Sequence, residues 1–511
     1  MIVLPLLYSE VHYRLKYLYP RYFKKESEVI FDLPIRVLTK KTQNKIPVFL
    51  LVKDADKYPT TIENIRVNVF FDKNKKTVEF DEVITLAQPM MFYEFNIDIE
   101  SEWINKYLYI NIDFLVNKKK YTNDNYYGSI PHNFKVFVSD KESFFPDNWY
   151  VGDVHYHSEF TSDQVEFGAP LEMTKKIANV MGMDWFFVTD HSYDLDDFED
   201  NYLLNDPCLT KWTKMKDECL SLSDDEIQIQ YGEEVSIGNE KGQNVHLLIL
   251  NNPNFVEGKG DSAEKWFRNK PDVLLSELPN ATDKSALYIA AHPFEQIPLL
   301  QRLLLNRGNW TENDIVNNQI EYLQIINGQS FSENINLIDR YLKLLLTGKK
   351  LFIVAGNDAH GNFQFMKQIK TPFWKLMCRK QQTFGDYFTA FHYHENKPIE
   401  GLKHKRIIIS NGVFIDMSID YKGCTYHIGD TVPADKLLIK YEYIIEEEHG
   451  DIKELKLIIG SITKQQIRYE KLDYERQDIN FVVEDDSYVV LLLKTNKGYM
   501  ALTNPIWVDT K

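Results

Sequence analysis

Cysteine is scarce. The chain of 511 residues has four, Cys208, Cys219, Cys378 and Cys424, with no C-x-x-C spacing among them. A zinc ribbon and thiol catalysis therefore have no support, and scattered free thiols fit a reducing compartment. Long apolar runs are missing too. The start, Ile2–Leu7, is short and has neither a basic leader nor a small-residue cleavage site. No stretch is long enough to cross a bilayer, so no membrane association is expected and the cytoplasm is the default location. Basic charge is also in deficit, 59 Lys and Arg against 75 Asp and Glu, a formal net charge of −16. Gripping a phosphate backbone needs a dense basic surface, and the short K-H-K-R stretch at 403–406 does not make one, so nucleic acid is set aside as a partner.

Histidine, by contrast, is present in a pattern. In the segment 152–163, G-D-V-H-Y-H-S-E-F-T-S-D, His155 and His157 lie two apart, and Asp163 follows six residues later. A strand repeats every two residues, so both imidazoles face one side and can converge on one ion. Four further apolar runs lead into ligand-type residues: Trp185–Val188 before T-D-H (His191), Ile227–Tyr231 before G-E-E (Glu234), Leu287–Ala291 before His292, and Leu351–Ala355 before G-N-D-A-H (Asp358 and His360). Another run, Val245–Leu250, carries His246 near its start. All six histidines from 155 to 360 fall in or beside such runs, which a set of unrelated core histidines would not do.

Nine mixed nitrogen and oxygen ligands exceed what one tetrahedral ion takes and suit two or three divalent metals, with zinc, manganese and iron all compatible. Sequence leaves Glu233 beside Glu234 as an alternative ligand, and the S-D pair at Asp163 also reads as an ordinary helix cap. A second H-Y-H, His392–His394, has no acidic partner of this kind and is read as a surface or interdomain feature. The chemistry expected is hydrolysis by activated water, with Asp358, Glu234 and His360 as the catalytic candidates.

Periodicity divides the chain. Val29–Val138 alternates apolar and polar residues in short runs, the pattern of an antiparallel β-sandwich. From Trp149 to Pro372 strands alternate with helical patterns, as in βα units. One helix is predicted from Pro170 to Gly182, another from Ser332 as cap to Gly348 as stop. Leu376–Lys405 reads as a connector with helical character, and from Arg406 short strands return. Three domains are expected: a β-sandwich-like domain over 1–147, a metal-binding barrel with helical connector over 148–400, and a second β-sandwich-like domain over 401–511.

Taken in order, H-x-H-S-x-x-x-S-D (155–163), T-D-H (189–191), G-x-E-V-S (232–236), V-H-L-L (245–248), A-H-P (291–293) and D-A-H (358–360) resemble the PHP (polymerase and histidinol phosphatase) superfamily of metal-dependent hydrolases. The tail motifs I-S-N-G-V-F (409–414) and A-L-T-N-P-I-W (501–507), with the β-rich N-terminal part, resemble its carbaryl-hydrolase-like branch. Gln164, Val413 and Asn357 stand where that branch commonly has Gly, Pro and Ser, and the ligands are intact.

The resemblance implies an α/β fold, a distorted (β/α)7 TIM-like barrel flanked by the two sandwiches. It also implies a partition of ligands. His155, His157, Glu234 and Asp358 would hold a first ion, Glu234, His246 and His292 a second, and Asp163, His191 and His360 a third. The expected activity is a phosphoesterase on a small-molecule phosphate ester, with carbamate, ester or amide hydrolysis as the alternative. A binding protein that keeps metals only for structure is the remaining reading. Oligomeric state is left open. Among basic residues near the motifs, Lys241 and Arg302 are the visible phosphate-binding candidates, and both read as solvated surface charges.

Overall fold

The computed structural model describes residues 26–125, 132–161, 168–199, 201–258, 260, 270–297, 299–328, 331–361, 363–365 and 382–510. Asp163, Gln164, Cys378 and the start Ile2–Leu7 lie outside the described residues, and so does part of the 376–405 connector.

The N-terminal part consists of two sheets. A three-stranded sheet of Glu28–Asp32, Lys45–Lys53 and Met90–Asp98 faces a seven-stranded one built around Thr60–Phe71 and Lys106–Val116. Alternate residues such as Val48, Leu50, Val67, Val69, Ile110 and Ile112 turn inward and share one core between the sheets, as expected when one face of each strand must leave water.

A much larger sheet follows. It runs through β1 (Trp149–His157), β2 (Trp185–Val188), β3 (Gln228–Gly238), β4 (Asn244–Leu250), β5 (Leu287–Ala290), β6 (Tyr322–Asn327) and β7 (Phe352–Gly356). The short β8 (Ala359–His360) pairs back onto β1, His157 opposite His360, so the sheet curls around the ends of its strands. On its other edge β1 pairs with β9 (Phe388–His392), β9 with β10 (Ile407–Ser410), and the sheet continues into Met500–Thr503, Ser487–Thr495, Ile452–Ser461 and Gln466–Lys471. A four-stranded sheet around Phe414–Tyr421 and Lys436–Ile444 packs over that extension.

This architecture overturns the expected helix-rich (β/α)7 TIM-like barrel. The described chain is mostly strand, and only α1 (Leu171–Met181), α2 (Thr210–Leu222) and α3 (Phe331–Leu345) exceed ten residues. The strands are not uniformly parallel either. β1, β2 and β3 are parallel, and so are β5, β6 and β7, but β4 runs antiparallel to both β3 and β5. Only residues 239–243 join β3 to β4. A parallel partner needs a crossover of roughly a dozen residues or more, so the chain turns back as a hairpin.

Short apolar runs do not reveal strand direction, which is why periodicity missed this. The connector holds a strand, β9, as well as the helix Pro398–His404. α3 starts at Phe331, which puts Ser332 in its first turn instead of at its cap, whereas Gly182 closes α1 at φ 76°.

β1 is the hinge of the arrangement. Val154 packs with Trp185, Phe187 and Leu248, and Tyr156 with Leu171, Ile177 and Phe186. Each such fully buried side chain contributes about 1.5–3 kcal/mol, enough to lock the register. Gly152 is required there, because a Cβ would sit 2.2 Å from the Trp185 ring. The same strand carries Asp153, His155 and His157, all three fully buried, and its register against β2 shifts between Asp153 and Tyr156.

Candidate metal centre

Eight of the nine expected ligands lie among the described residues, and the fold brings all eight together. Three groups of ligand atoms lie within 4.8 Å of one another: His155, His157, Glu234 and Asp358; Glu234, His246 and His292; and His157, His191 and His360. The first two follow the expected partition. In the third, His157 stands with His191 and His360, while the expected member Asp163 is outside the described residues.

Glu234 is the hub. It lies inside β3, not at a strand end, next to His191 through a parallel bridge and two residues before Ser236, which pairs with His246 on β4. Its Oε2 is 3.4 Å from His155 Nε2, 3.4 Å from His157 Nε2 and 3.0 Å from His191 Nδ1. Its Oε1 is 2.6 Å from His246 Nδ1 and 3.3 Å from His292 Nε2. Glu233 points the other way by strand alternation and accepts from the Val256 amide at 3.1 Å. Burial pushes its carboxyl well above the ordinary range. The choice left open between the two glutamates thus falls on Glu234.

The first group has the dimensions of a coordination shell. Tetrahedral ligands about 2.05 Å from an ion stand about 3.3 Å from each other. Besides the two Glu234 distances, His155 Nε2 and His157 Nε2 are 3.0 Å apart, and Asp358 Oδ1 is 3.5 and 3.1 Å from them. The outer hydrogen bonds say which ring atoms carry protons. Gln324 Nε2 donates to Asn327 Oδ1 at 2.7 Å, so its carbonyl oxygen accepts from His155 Nδ1, also at 2.7 Å. His157 Nδ1 donates to Thr161 Oγ1 at 3.3 Å, and Thr161 in turn donates to Asp190 at 2.6 Å. With both Nδ1 atoms protonated, both Nε2 lone pairs face the same point. A shared cation makes that arrangement favourable, and such outer partners are what fix ligating imidazoles.

Asp358 is held in the same manner. Its Oδ2 accepts from Asn327 Nδ2 at 3.1 Å and from Gln382 Nε2 at 2.8 Å, which turns Oδ1 to the histidines. Asp358 and His292 have φ of 51° and 32°. Left-handed backbone at non-glycine residues costs on the order of 1–3 kcal/mol and persists where surrounding structure imposes it.

Electrostatics match the geometry. Burial would raise the Glu234 carboxyl, but His246 and His155 hold it well below the usual carboxylate range. Burial, with His360 and His191 close by, lowers the His157 imidazole. Burial also pulls His292 down, yet Glu295, 3.0 Å from its Nδ1, and Glu234 hold it up to about 10. His360, with 13% of its side chain exposed, marks the open side of the centre.

The second H-Y-H stays out of the site. His392 pairs opposite Trp149 at the far end of β1, eight residues from His157 and so about 26 Å away. Lys241 and Arg302 are exposed. The residue that sequence reasoning missed is Arg307, only 2% exposed, whose guanidinium contacts His246 Nε2. No motif marks it. The signal available was the second of two arginines after A-H-P, fourteen residues past its proline.

No family model matches the chain, and no curated protein matches it. Among solved structures it is similar to a β-glucuronidase of Parabacteroides merdae, at 9% identity and a TM-score of 0.19, over 95% of this chain and 66% of that one. A glycosyl hydrolase family 2 member of Bacteroides cellulosilyticus DSM 14838 gives 8% identity and a TM-score of 0.19, over 92% of this chain and 68% of that one. The chain therefore spans just under two thirds of the β-glucuronidase. Scores this low mark no shared fold, and the chemistry rests on the residues themselves. Among the described residues no helix is long and apolar enough to cross a membrane.

Proposed function

We propose that this protein is a metal-dependent hydrolase that uses two or three divalent ions, zinc, manganese or iron, against a small-molecule phosphate ester. The observation that carries the reading is the placement of Glu234, whose two oxygens face separate histidine sets. A carboxylate so placed can serve two cations at once, whereas His157, which lies within two of the three groups, has one free lone pair and serves a single ion. The order of the motifs, similar to that of the PHP superfamily, supports the same chemistry.

His155, His157, Glu234 and Asp358 would hold one ion, Glu234, His246 and His292 another, and His191 and His360 would contribute to a third. Such ions supply Lewis acidity and draw the pKa of water toward neutrality. The chain supplies the rest. Buried walls exclude bulk solvent and strengthen every charge interaction inside. Gln324 and Thr161 keep the imidazoles aimed. Asp358 Oδ1, at the open side near His360, is placed to accept a proton from attacking water. His360 lies beside it on the same open side.

The test is elemental analysis of protein purified without chelator, with hydrolysis of p-nitrophenyl phosphate and p-nitrophenyl acetate, on wild type, Glu234→Gln and Glu233→Gln. About two or more ions per chain are expected in wild type and Glu233→Gln, with phosphate release, and both are lost in Glu234→Gln. Turnover of acetate alone would move the reading to carbamate, ester or amide hydrolysis. Less than one ion per chain after manganese or zinc is added back would refute it.

A further inference from the structure

β7 is the last strand of the curl. One of its edges pairs in parallel with β6, and among the described residues no strand pairs with the other. A buried edge of this kind leaves every second amide and carbonyl without a ladder partner, and such groups cost free energy unless something else bonds to them.

Side chains do so here. Ile353 N donates to Asn504 Oδ1 at 2.6 Å, and Ile353 O accepts from Asn504 Nδ2 at 2.9 Å. Ala355 N donates to the Thr389 hydroxyl at 2.8 Å, and Ala355 O accepts from it at 2.9 Å. At the next step the roles invert. The Asn357 side chain accepts from Tyr387 N at 3.0 Å and donates to Tyr387 O at 2.6 Å. The same residue donates to Asp153, from its backbone amide at 3.2 Å and from Nδ2 at 2.7 Å. Asn357, Thr389 and Asn504 are all fully buried, so bulk water does not compete for these groups.

This seam joins distant parts of the chain. Thr389 lies on β9, and Asn504 belongs to the A-L-T-N-P-I-W segment of the tail, where its own N–H and Nδ2 also donate to Ile407 O on β10 at 3.0 and 3.2 Å. Its other end reaches the metal centre. Asp358 follows Asn357 directly, donates its amide to His155 O at 3.0 Å and holds a φ of 51°. Backbone in that region keeps its shape only through what surrounds it, and the seam fixes the residues that lead into it.

We propose that Asn504 and Thr389 are positioning residues of the metal centre, holding the edge of β7 so that Asp358 reaches the first ion. The C-terminal part of the chain is then a component of the site, and the tail motif has a physical role. Neither residue belongs to a ligand group, and the assignment rests on the metal-binding reading above.

The test compares wild type, Thr389→Val, Thr389→Ser, Asn504→Ala and Leu457→Ala. Thr389→Val keeps the shape and removes both bonds to Ala355, whereas Thr389→Ser restores the hydroxyl. Leu457 lies in the core between the C-terminal sheets, so its truncation controls for general loss of stability. Zinc affinity of the folded protein is measured by competition with a chromogenic chelator. Amide hydrogen exchange of segment 351–358, relative to the other strands of the curl, is followed in the metal-free protein. Thr389→Val and Asn504→Ala are expected to bind zinc roughly 3- to 30-fold more weakly and to exchange that segment faster, with Thr389→Ser close to wild type. Leu457→Ala is expected to unfold at lower denaturant with zinc affinity and segment exchange unchanged. If Asn504→Ala does not fold, the Thr389 pair carries the test.

Zinc affinity within about twofold of wild type in both Thr389→Val and Asn504→Ala would overturn the assignment. An equal loss of affinity in Leu457→Ala would do the same and reduce the seam to ordinary core packing. Failure of the metal reading shows separately, as wild type that holds less than one ion per chain. Hydrogen exchange then decides the seam alone, and an unchanged 351–358 segment in Thr389→Val would sink it.

Discussion

Gln324 offers the sharpest check on whether the centre is built to hold metal. It is fully buried in β6 and touches no substrate position, yet it accepts from His155 Nδ1 and donates to Asn327 Oδ1, both at 2.7 Å. Asn327 passes the restraint on to Asp358 Oδ2 at 3.1 Å. One side chain therefore orients two members of the first ligand group. Replacement by leucine keeps most of the volume and removes both hydrogen bonds.

Two buried polar groups are then left unsatisfied, at about 1–3 kcal/mol each, so the metal-free protein should lose roughly 2–6 kcal/mol of stability. Freed imidazole and carboxylate should also cost about 10- to 100-fold in metal affinity, or about 1.4–2.7 kcal/mol. Zinc competition against a chromogenic chelator measures the second quantity, and denaturant unfolding of the chelated protein measures the first. Gln324→Glu, which keeps an acceptor for His155, should recover most of the affinity. A leucine variant that loses stability but binds zinc as tightly as wild type would refute the reasoning and make Gln324 an ordinary core residue.

Two further predictions concern the frame. A Cβ at Gly356 would sit 2.8 Å from His155 Cβ and 3.1 Å from both Asp153 Oδ1 and Gln324 Nε2. Gly356→Ala is therefore expected to cost about 1–3 kcal/mol in a melting experiment and to weaken metal binding, and an unchanged melting temperature would contradict that crowding. Asp184 accepts from the Val151 amide at 2.7 Å, but burial pushes its carboxyl up to about 6 from 3.8. Raised in the folded state, this group carries no penalty below pH 3.8, and the folded protein loses stability as pH rises through 6. Asp184→Asn should match wild type near pH 4 and exceed it by on the order of 1–2 kcal/mol at pH 7.5, the full shift being reduced by partial exposure. A constant difference across that range would show that the carboxyl is not buried in its charged form.

The candidate ligands were legible because strand periodicity is local. His155 and His157 share a face whatever surrounds them, and residues such as His191 and His292 follow apolar runs that only buried strands explain. The same periodicity, read as βα repeats, gave the wrong architecture. An apolar run of four to seven residues is equally at home in a parallel or an antiparallel ladder, and the five-residue connection at 239–243 was the clue that β4 must reverse. The strand at 388–392 was read as part of a helical connector because its partner, β1, lies more than two hundred residues away.

What the sequence by itself determined is the donor set: which side chains can bind metal, and their order along the chain. That much follows from residue chemistry and a repeat of two. Tertiary structure alone decided that Glu234 and not Glu233 faces inward, that His157 is shared by two groups, and that Arg307 stands against His246. Those outcomes depend on which strands pair and in which direction. Pairing is set by the burial of apolar surface summed over the whole sheet, a quantity no short segment contains.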